Sequence, residues 1–142
     1  MNYRILLALV LSLSISACSK NDDDNNVTDC ELTTLISSEA YEDAPSDFLT
    51  INSLEINDNC LKINFSSGGC NGNTWEIKLI DSEEISESLP AQRNLRLSLK
   101  NEELCYAYVT KELTFDISNL RVNGNQVQLN ITNFGGTILY EY

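Results

Sequence analysis

Hydrophobic residues recur at every second position through most of the chain after Cys30. A period of two is typical of half-buried β-strands, because successive side chains of a strand point to opposite faces of a sheet. The intervening residues are mostly Lys, Asn, Glu, Arg, Ser and Thr, so we expect one face of each strand to contact water. The alternating apolar sets are Leu54, Ile56; Leu61, Ile63, Phe65; Trp75, Ile77, Leu79; Leu95, Leu97, Leu99; Leu113, Phe115, Ile117; Val127, Leu129, Ile131; and Ile138, Tyr140, Tyr142.

Turn-forming residues divide this pattern into strands. Asn57-Asp58-Asn59 separates the first two strands, residues 66–69 (SSGG) end the second, Asn123-Gly124-Asn125 predicts a hairpin, and Gly135-Gly136 leads into the last strand. The regular spacing and the presence of only two prolines favour seven or eight antiparallel strands. The predicted fold is an all-β antiparallel sandwich, with a small β-barrel as the alternative.

Three segments fit the alternation less well. Residues 81–87 (DSEEISE) are predicted to form a loop or one helical turn before Leu89-Pro90. Residues 32–36 contain a possible strand, and residues 42–47 are a turn-rich connection around Pro45. Residues 30–142 together are long enough for one domain with a single core.

The beginning of the chain has the order of a bacterial secretory signal. Arg4 precedes an apolar run of residues 5–15, and small residues then lead to Cys18. The run is too short to cross a membrane as a helix, which takes about 20 apolar residues. Ile15-Ser16-Ala17-Cys18 resembles the lipobox of bacterial lipoproteins, with Ile15 where Leu is usual. The resemblance implies removal of residues 1–17, lipidation of Cys18 and attachment of the protein to a membrane through that lipid.

Residues 18–29 are predicted to be a disordered tether, because the stretch after the lipidated Cys has almost nothing to bury. Lys20 and the acidic run Asp22, Asp23 and Asp24 resemble the export signal of surface lipoproteins of the Bacteroidota. This resemblance implies an outer-membrane location at the cell surface, with the periplasmic face as the alternative. A plain solvated spacer would have the same composition.

The charge of the chain restricts its partners. The sequence has 21 acidic and 9 basic residues, a formal net charge of −12, and loss of Arg4 on cleavage makes the mature form more negative by one. A surface of this sign repels phosphates, so nucleic acid is not an expected partner and anionic lipid is not expected to attract the domain. The oligomeric state is not specified by any of these features.

The Cys count predicts two disulfides. Of the five Cys, Cys18 is assigned to lipid, and the four that remain belong to an oxidising compartment, where they pair. Three connectivities are possible, and Cys30–Cys60 with Cys70–Cys105 is preferred because it ties successive strands locally. A zinc site is a poor alternative, since no Cys-x-x-Cys pair occurs and the sequence has no His.

Catalytic residues are hard to find in this sequence, and we expect neither an enzyme nor a cofactor or metal. Without His, the commonest general base is absent. The candidates for a Ser–Lys dyad lie mostly on solvent faces of strands, and the adjacent acids suggested for glycoside chemistry are more typical of solvated loops. These candidates are Lys62, Lys78, Lys100, Lys111 and the pairs Glu83 with Glu84 and Glu102 with Glu103.

Residues 66–75 (SSGGCNGNTW) form the most individual segment. A Gly-rich loop that binds phosphate is followed by a helix, whereas here a strand resumes at Thr74. We therefore expect Gly68 and Gly69 to permit a turn, Cys70 to clamp it, and Trp75 to anchor the core near the disulfide.

Several motifs together resemble uncharacterised lipoproteins of the Bacteroidota. These are CLKINF from Cys60, SGGC up to Cys70, Leu-Pro-Ala-Gln at residues 89–92, Cys105-Tyr106-Ala107, and FDIS from Phe115. The resemblance implies a Cys70–Cys105 disulfide and an extracytoplasmic location, and it assigns no activity. Where some relatives have a His, this chain has Asn73. Gly69-Cys70-Asn71 before Trp75 also resembles the META-type domain of heat-inducible lipoproteins.

The first functional hypothesis is a non-catalytic envelope module that is structural or binds an extracellular protein or glycan through loops at one end of the sandwich. For the glycan version, Tyr106 and Tyr108, or Tyr140 and Tyr142, are the rings that would stack on sugar, although one of each pair is expected in the core. The second hypothesis is a protease inhibitor or a stress-related META-like lipoprotein. A carboxylate-based enzyme is the third.

Overall fold

The computed structural model describes residues 29–142, most of which lie in β-strands. The predicted signal peptide, the lipidation site Cys18 and the export signal at Lys20, Asp22, Asp23 and Asp24 lie outside the described residues. The strands are β1 (Leu32–Thr33), β2 (Leu35–Ile36), β3 (Thr50–Asn57), β4 (Cys60–Gly69), β5 (Glu76–Ser86), β6 (Gln92–Lys100), β7 (Ala107–Asp116), β8 (Gln126–Ile131) and β9 (Gly136–Glu141); the helices are α1 (Ser38–Asp43) and a 3₁₀ helix (Ser118–Leu120).

The strands form two sheets that pack face to face. The first sheet has the order β1-β7-β4-β3, and the second has the order β2-β5-β6-β8-β9. The chain passes from one sheet to the other at the buried residue Thr34, so β1 and β2 form edges of different sheets. The prediction of an all-β sandwich is confirmed, and the described strands do not close into a barrel.

The core lies between the sheets and consists of the residues that alternate along the strands. Leu61, Ile63 and Phe65 on β4 are fully buried, and on the opposite sheet so are Leu95 on β6 and Leu129 on β8. Burial of each such side chain stabilises the fold by about 1.5–3 kcal/mol relative to its exposure. The period of two in the sequence therefore identified the inner face of the long strands correctly.

The prediction that all strands are antiparallel was wrong for three pairs. β1 pairs with β7, β2 with β5, and β6 with β8 in parallel. The pair β6 and β8 is parallel because β7, the strand between them in the chain, lies in the other sheet. The chain reverses direction once after β6 and once after β7, so β8 runs in the same direction as β6.

Two of the predicted turns have a different role. Residues 66–69 do not end β4 but continue it to Gly69, paired with β7. Asn123-Gly124-Asn125 forms a turn, with Gly124 at a φ of 113°, but it connects the 3₁₀ helix to β8 and is not a hairpin. The turns at Asn57-Asp58-Asn59 and before β9 lie where they were predicted, between antiparallel neighbours.

Residues 42–47 were predicted as a turn-rich connection, but the short helix α1 extends to Asp43. The Ser37 hydroxyl accepts a hydrogen bond from the Ala40 amide at its N-terminal end. At the other end, the Arg96 guanidinium donates to the carbonyl oxygens of Tyr41 (2.9 Å) and Ala44 (3.0 Å). A cation here satisfies carbonyl groups that the helix leaves without partners.

The segment predicted as a loop or helical turn at residues 81–87 is largely part of β5, which continues to Ser86. Its register with β6 shifts between Asp81 and Ile85, and Glu83 has a φ of 67°. The shift is a bulge that keeps Asp81 inside the protein, where its carboxylate binds the Arg93 guanidinium at 3.0 and 2.7 Å. Both side chains are buried, so a buried ion pair accounts for an acidic residue that the sequence places in a solvated loop.

We predict that Arg93→Leu lowers the free energy of unfolding by about 3–5 kcal/mol, because it leaves the buried Asp81 carboxylate without its partner. Denaturant unfolding would measure the change. Asp81→Leu combined with Arg93→Leu should recover much of the loss, since no unpaired charge then remains. Lys62→Leu breaks an exposed pair with Glu55 and serves as the control, with a much smaller effect. Equal losses for Arg93→Leu and Lys62→Leu would contradict this account.

Candidate functional site

The two disulfides lie at opposite ends of β4. Cys60 is the first residue of this strand and pairs with Cys30, with a Cα–Cα distance of 5.5 Å. Cys70 directly follows the last residue of the strand and pairs with Cys105, with a Cα–Cα distance of 4.7 Å. The preferred connectivity is confirmed. At about 3.3 Å per residue the two cross-links are roughly 30 Å apart, and we call the two ends of the sandwich the Cys60 end and the Cys70 end.

At the Cys70 end, the carboxylate of Glu103 is enclosed by the loop that follows β4. Its Oε2 accepts hydrogen bonds from the backbone amides of Cys70, Asn71 and Gly72, at 2.5, 3.1 and 3.0 Å. Its Oε1 accepts from the Thr74 amide at 3.5 Å and from the Thr74 hydroxyl at 3.0 Å. Successive amides that converge in this way form an anion-binding nest, and the chain fills it with its own side chain.

The electrostatics of Glu103 follow from this arrangement. Partial desolvation raises the pKa of the carboxyl, but the hydrogen bonds from Gly72, Cys70, Thr74 and Asn71 outweigh it and lower the pKa to about 2. Glu103 is therefore a permanent carboxylate at neutral pH. Because its oxygens are occupied by the loop, it is a structural clamp and not a general acid.

One glycine at the end of β4 and one in the loop permit this close approach. A Cβ on Gly69 would lie 2.6 Å from Oε2 of Glu103. Gly72 has a φ of 68°, which favours glycine, and a Cβ there would lie 3.0 Å from the Trp75 ring. Trp75 packs against the core, as the sequence predicts, 6.2 Å from Phe65 between ring centroids.

Residues 101–106 connect β6 to β7 and are held by the loop and by a neighbouring segment. The Asn101 amide donates to the Asp47 carboxylate at 2.7 Å, and the Asn101 side chain donates to the Gly68 carbonyl at 2.6 Å. The Glu103 amide in turn donates to the Asn101 side-chain oxygen at 3.0 Å. With the disulfide at Cys105, these contacts fix a segment that has no regular secondary structure.

Four large apolar side chains are exposed around this segment, and we call them the apolar patch. Leu104 is 90% exposed, Tyr106 103%, Tyr108 68% and Phe48 77%. Two of them are tied to the end of β4: Tyr108 pairs with Gly68 in the first sheet, and the Phe48 carbonyl accepts a hydrogen bond from the Ser67 hydroxyl. The apolar patch thus lies on a part of the molecule that is cross-linked and hydrogen-bonded.

The structure separates the two tyrosine pairs. Tyr106 and Tyr108 are both exposed, so the expectation that one of them belongs to the core was wrong; Tyr106 precedes β7, and Tyr108 points from the outer face of the first sheet. Tyr140 is fully buried, as expected, and its hydroxyl donates to Asn59 at 2.7 Å. The Arg121 guanidinium lies 5.0 Å from the ring centroid of Tyr142, which leaves that ring half-covered.

The residues considered for catalysis do not assemble into a site. Glu83 and Glu84 are exposed near the bulge of β5. Glu102 and Glu103 follow β6, at the opposite end of the same sheet. Lys62 and Lys100 pair with Glu55 and Glu76, at 2.6 and 2.8 Å. Lys78 is exposed, and Lys111 lies 3.4 Å from the Asn73 side-chain oxygen and 6.0 Å from the Trp75 ring centroid.

A shallow cavity of about 210 Å³ lies beside the apolar patch. It is lined by Ser46, Asp47, Phe48, Leu49, Arg96, Leu97 and Asn133. The Arg96 guanidinium donates to carbonyl oxygens at the end of α1, and the Asn133 side-chain nitrogen donates to the Leu97 carbonyl at 2.8 Å. The polar groups of this cavity are therefore largely occupied by the protein itself.

Residues 29–142 contain no group of three or more His, Cys, Asp or Glu side chains able to hold a metal ion. Within the same part of the chain, no helix has the length and hydrophobicity needed to cross a membrane.

Sequence reasoning predicted the Cys70 clamp but not the role of Glu103. The signal for Glu103 was the pairing of a Gly-rich turn, which exposes several amides, with an acidic residue two positions before the Cys that cross-links to it. Asp81 and Arg93 carried no such signal, because their separation depends on the register of β5 and β6.

We predict that Glu103→Gln makes the protein less stable at neutral pH, and that the difference from wild type is pH-dependent. The pKa of Glu103 lies below its ordinary 4.5, so its carboxylate contributes stability above pH 4.5 that is lost as the pH falls to about 2. Melting temperatures measured between pH 7 and pH 2 should therefore converge in that window. Glu102→Gln, at an exposed neighbour, should parallel wild type. A pH-independent gap for Glu103→Gln would contradict the assignment.

Comparisons with known proteins show the fold and no more. No protein-family model matches the chain, and no curated protein matches it. A crystal structure of a NigD-like immunity protein from Bacteroides caccae is similar with a TM-score of 0.56 at 14% identity, over 77% of this chain and 59% of that one. A protein of unknown function from Bacteroides vulgatus has a TM-score of 0.49 at 16% identity, over 78% and 55% of the two chains.

The chain thus spans less than two thirds of the length of either of these proteins. These structures do not bear on the lipobox or on the META-type domain. At 14% identity, the similarity to the Bacteroides caccae protein concerns the overall fold alone.

Proposed function

We propose that this chain is a lipid-anchored envelope module that binds another protein through the apolar patch and carries out no chemistry itself. The observation that carries the proposal is the exposure of Leu104, Tyr106, Tyr108 and Phe48 at one end of the fold. Large apolar side chains exposed on one region of a soluble protein are typical of interaction sites, and Tyr is among the residues that contribute most to protein–protein binding.

The rigidity of this end supports binding. Ordering of flexible side chains and loops upon association reduces affinity, and a segment that is already fixed avoids that loss. Cys105 is cross-linked to Cys70, and Glu103 is bound by the amides of the loop. The side chains of Leu104 and Tyr106, which lie between and beside these anchors, are thereby presented in a restricted geometry.

A protein is favoured over a glycan as the partner. Aromatic rings such as those of Tyr106 and Tyr108 would stack on sugars, but a sugar site also needs polar groups placed around the rings to bind hydroxyls. Leu104 and Phe48 extend the exposed surface with apolar groups instead. The immunity function in the description of the Bacteroides caccae protein belongs to that protein, and for this chain we propose the broader class of protein binding.

The position of the N-terminal part supports an orientation for this module. Cys30 is cross-linked at the Cys60 end, whereas the apolar patch lies at the Cys70 end. A chain that leads from a lipid on Cys18 through the acidic tether would reach the domain at the Cys60 end. The apolar patch would then face away from the membrane. Lys20, Asp22, Asp23 and Asp24 support delivery to the outer membrane at the cell surface, with the periplasmic face as the alternative.

We predict that the mature wild-type protein carries acyl chains at Cys18 and that Cys18→Ala abolishes them. Intact mass spectrometry of the two proteins from membrane fractions would measure this. Trypsin treatment of whole cells should digest the wild type if the anchor lies in the outer leaflet. A wild type that is soluble and unacylated would contradict the lipobox assignment.

We also predict that a photo-crosslinking residue at position 106 forms a discrete adduct with a protein on intact cells, while one at position 89 does not. Position 89 is a matched control for position 106, because Leu89 and Tyr106 are 102% and 103% exposed and lie at opposite ends of the fold. Mass spectrometry would identify the adduct. Addition of Leu104→Ser and Tyr108→Ser should weaken it, and an adduct from position 89 alone would contradict the proposed surface.

A further inference from the structure

We propose that residues 102–106 form a substrate-like inhibitory loop that binds serine proteases with an apolar specificity pocket, with Leu104 as the residue that enters the pocket. This inference deepens the proposed function, on which it rests, by naming the class of protein that the apolar patch binds. It depends on the exposure of Leu104, on the fixed positions of its neighbours and on the disulfide that directly follows it.

Leu104 is accessible to a protease. Its side chain is 90% exposed and lies in a segment without regular secondary structure, between the ends of β6 and β7. Among the backbone hydrogen bonds formed within residues 29–142 outside the strands and helices, none involves Leu104. Its amide and carbonyl are therefore available to pair with an extended strand of a protease, which is how peptides bind at an exposed sheet edge.

The residues on either side of Leu104 are fixed. Glu103, before it, is held by the amides of Cys70, Asn71 and Gly72, and its own amide is bound to Asn101. Cys105, after it, is cross-linked to Cys70. Both neighbours are thus tied to the same short loop, so the segment loses little conformational entropy when it enters an active site.

This geometry favours inhibition over digestion. The protease Ser hydroxyl adds to the Leu104 carbonyl carbon, the bond from that carbon to the Cys105 nitrogen breaks, and the hydroxyl proton passes through the protease His to the new Cys105 amine. That amine stays beside the acyl group, because Cys105 is held by Cys70 and Glu103 is held by the same loop. The amine can attack the ester, re-form the peptide bond and release the Ser hydroxyl, since a held nucleophile has a high effective concentration.

The side chain selects the class of protease. Leu104 is apolar, which suits the hydrophobic slot of chymotrypsin-like specificity pockets and not the pocket with an Asp at its base that accepts Arg or Lys. Tyr106 and Tyr108 follow Cys105 in the chain, and their exposed side chains extend the contact beyond the cleaved bond. Glu102, whose side chain is largely exposed, lies on the other side.

The experiment is a titration of chymotrypsin and trypsin with the purified full chain, with hydrolysis of a small chromogenic peptide as the readout. We expect the wild type to inhibit chymotrypsin at micromolar concentration and not trypsin. Leu104→Arg should weaken the inhibition of chymotrypsin by about 100-fold and create inhibition of trypsin. Leu89→Arg, at an equally exposed position of the Cys60 end, is the matched control and should retain the wild-type pattern.

Inhibition that follows position 104 in this way supports the inference. Absence of inhibition by both the wild type and Leu104→Arg would overturn it, as would complete cleavage after residue 104 with recovery of protease activity. Retained disulfides in an intact-mass measurement establish that Leu104→Arg is folded, and Leu104→Ser provides a second substitution at this exposed position.

A protein adduct from position 106 on cells without any inhibition would overturn the inference and leave the proposed protein binding in place. Inhibition that follows position 104 would support the inference whether or not an adduct forms on cells, and a wild type that is soluble and unacylated would overturn the proposed role at the envelope.

Discussion

Strand β4 is the element on which the rest of the structure depends. Its inward side chains Leu61, Ile63 and Phe65 are fully buried in the core, and its two edges pair with β3 and β7. A disulfide closes each of its ends, and each closed loop restricts the unfolded chain, which stabilises the fold by about 3–4 kcal/mol. Both the Glu103 nest and the apolar patch are built on the end of this strand, so their geometry is inherited from the core.

At the same end, a side chain satisfies backbone amides that the sheet leaves without partners. A Gly-rich turn exposes several amides that the sheet does not satisfy, and unpaired amides are costly when they are shielded from water. The Glu103 carboxylate satisfies them, and its lowered pKa keeps it charged. The turn and residues 101–106 therefore fix each other, and the disulfide makes that association covalent. Exposed apolar side chains next to such a clamp are displayed by a rigid frame.

Much of the fold was predictable from the sequence, because half-buried strands impose a period of two on their side chains. Leu95, Leu97 and Leu99 are buried as that period predicts. What could not be predicted depends on pairing between distant residues. The parallel pairing of β6 with β8 requires knowledge of which strands change sheets, and the partnership of Asp81 with Arg93 requires the register of a bulged strand. Glu103 similarly resembled a solvated acid until the loop it fills was known.

The opposite positions of the two disulfides also have a mechanical consequence. A force applied between a point near Cys30 and a point near Cys105 acts along the axis of β4, because these residues are cross-linked to its two ends. The path from Cys30 through β4 to Cys105 is covalent throughout, so the backbone of β4 carries the load and the hydrogen bonds to β3 and β7 do not have to bear it. The two cross-links thus allow a pull between the two ends of the sandwich to pass through the molecule without unpairing the sheet.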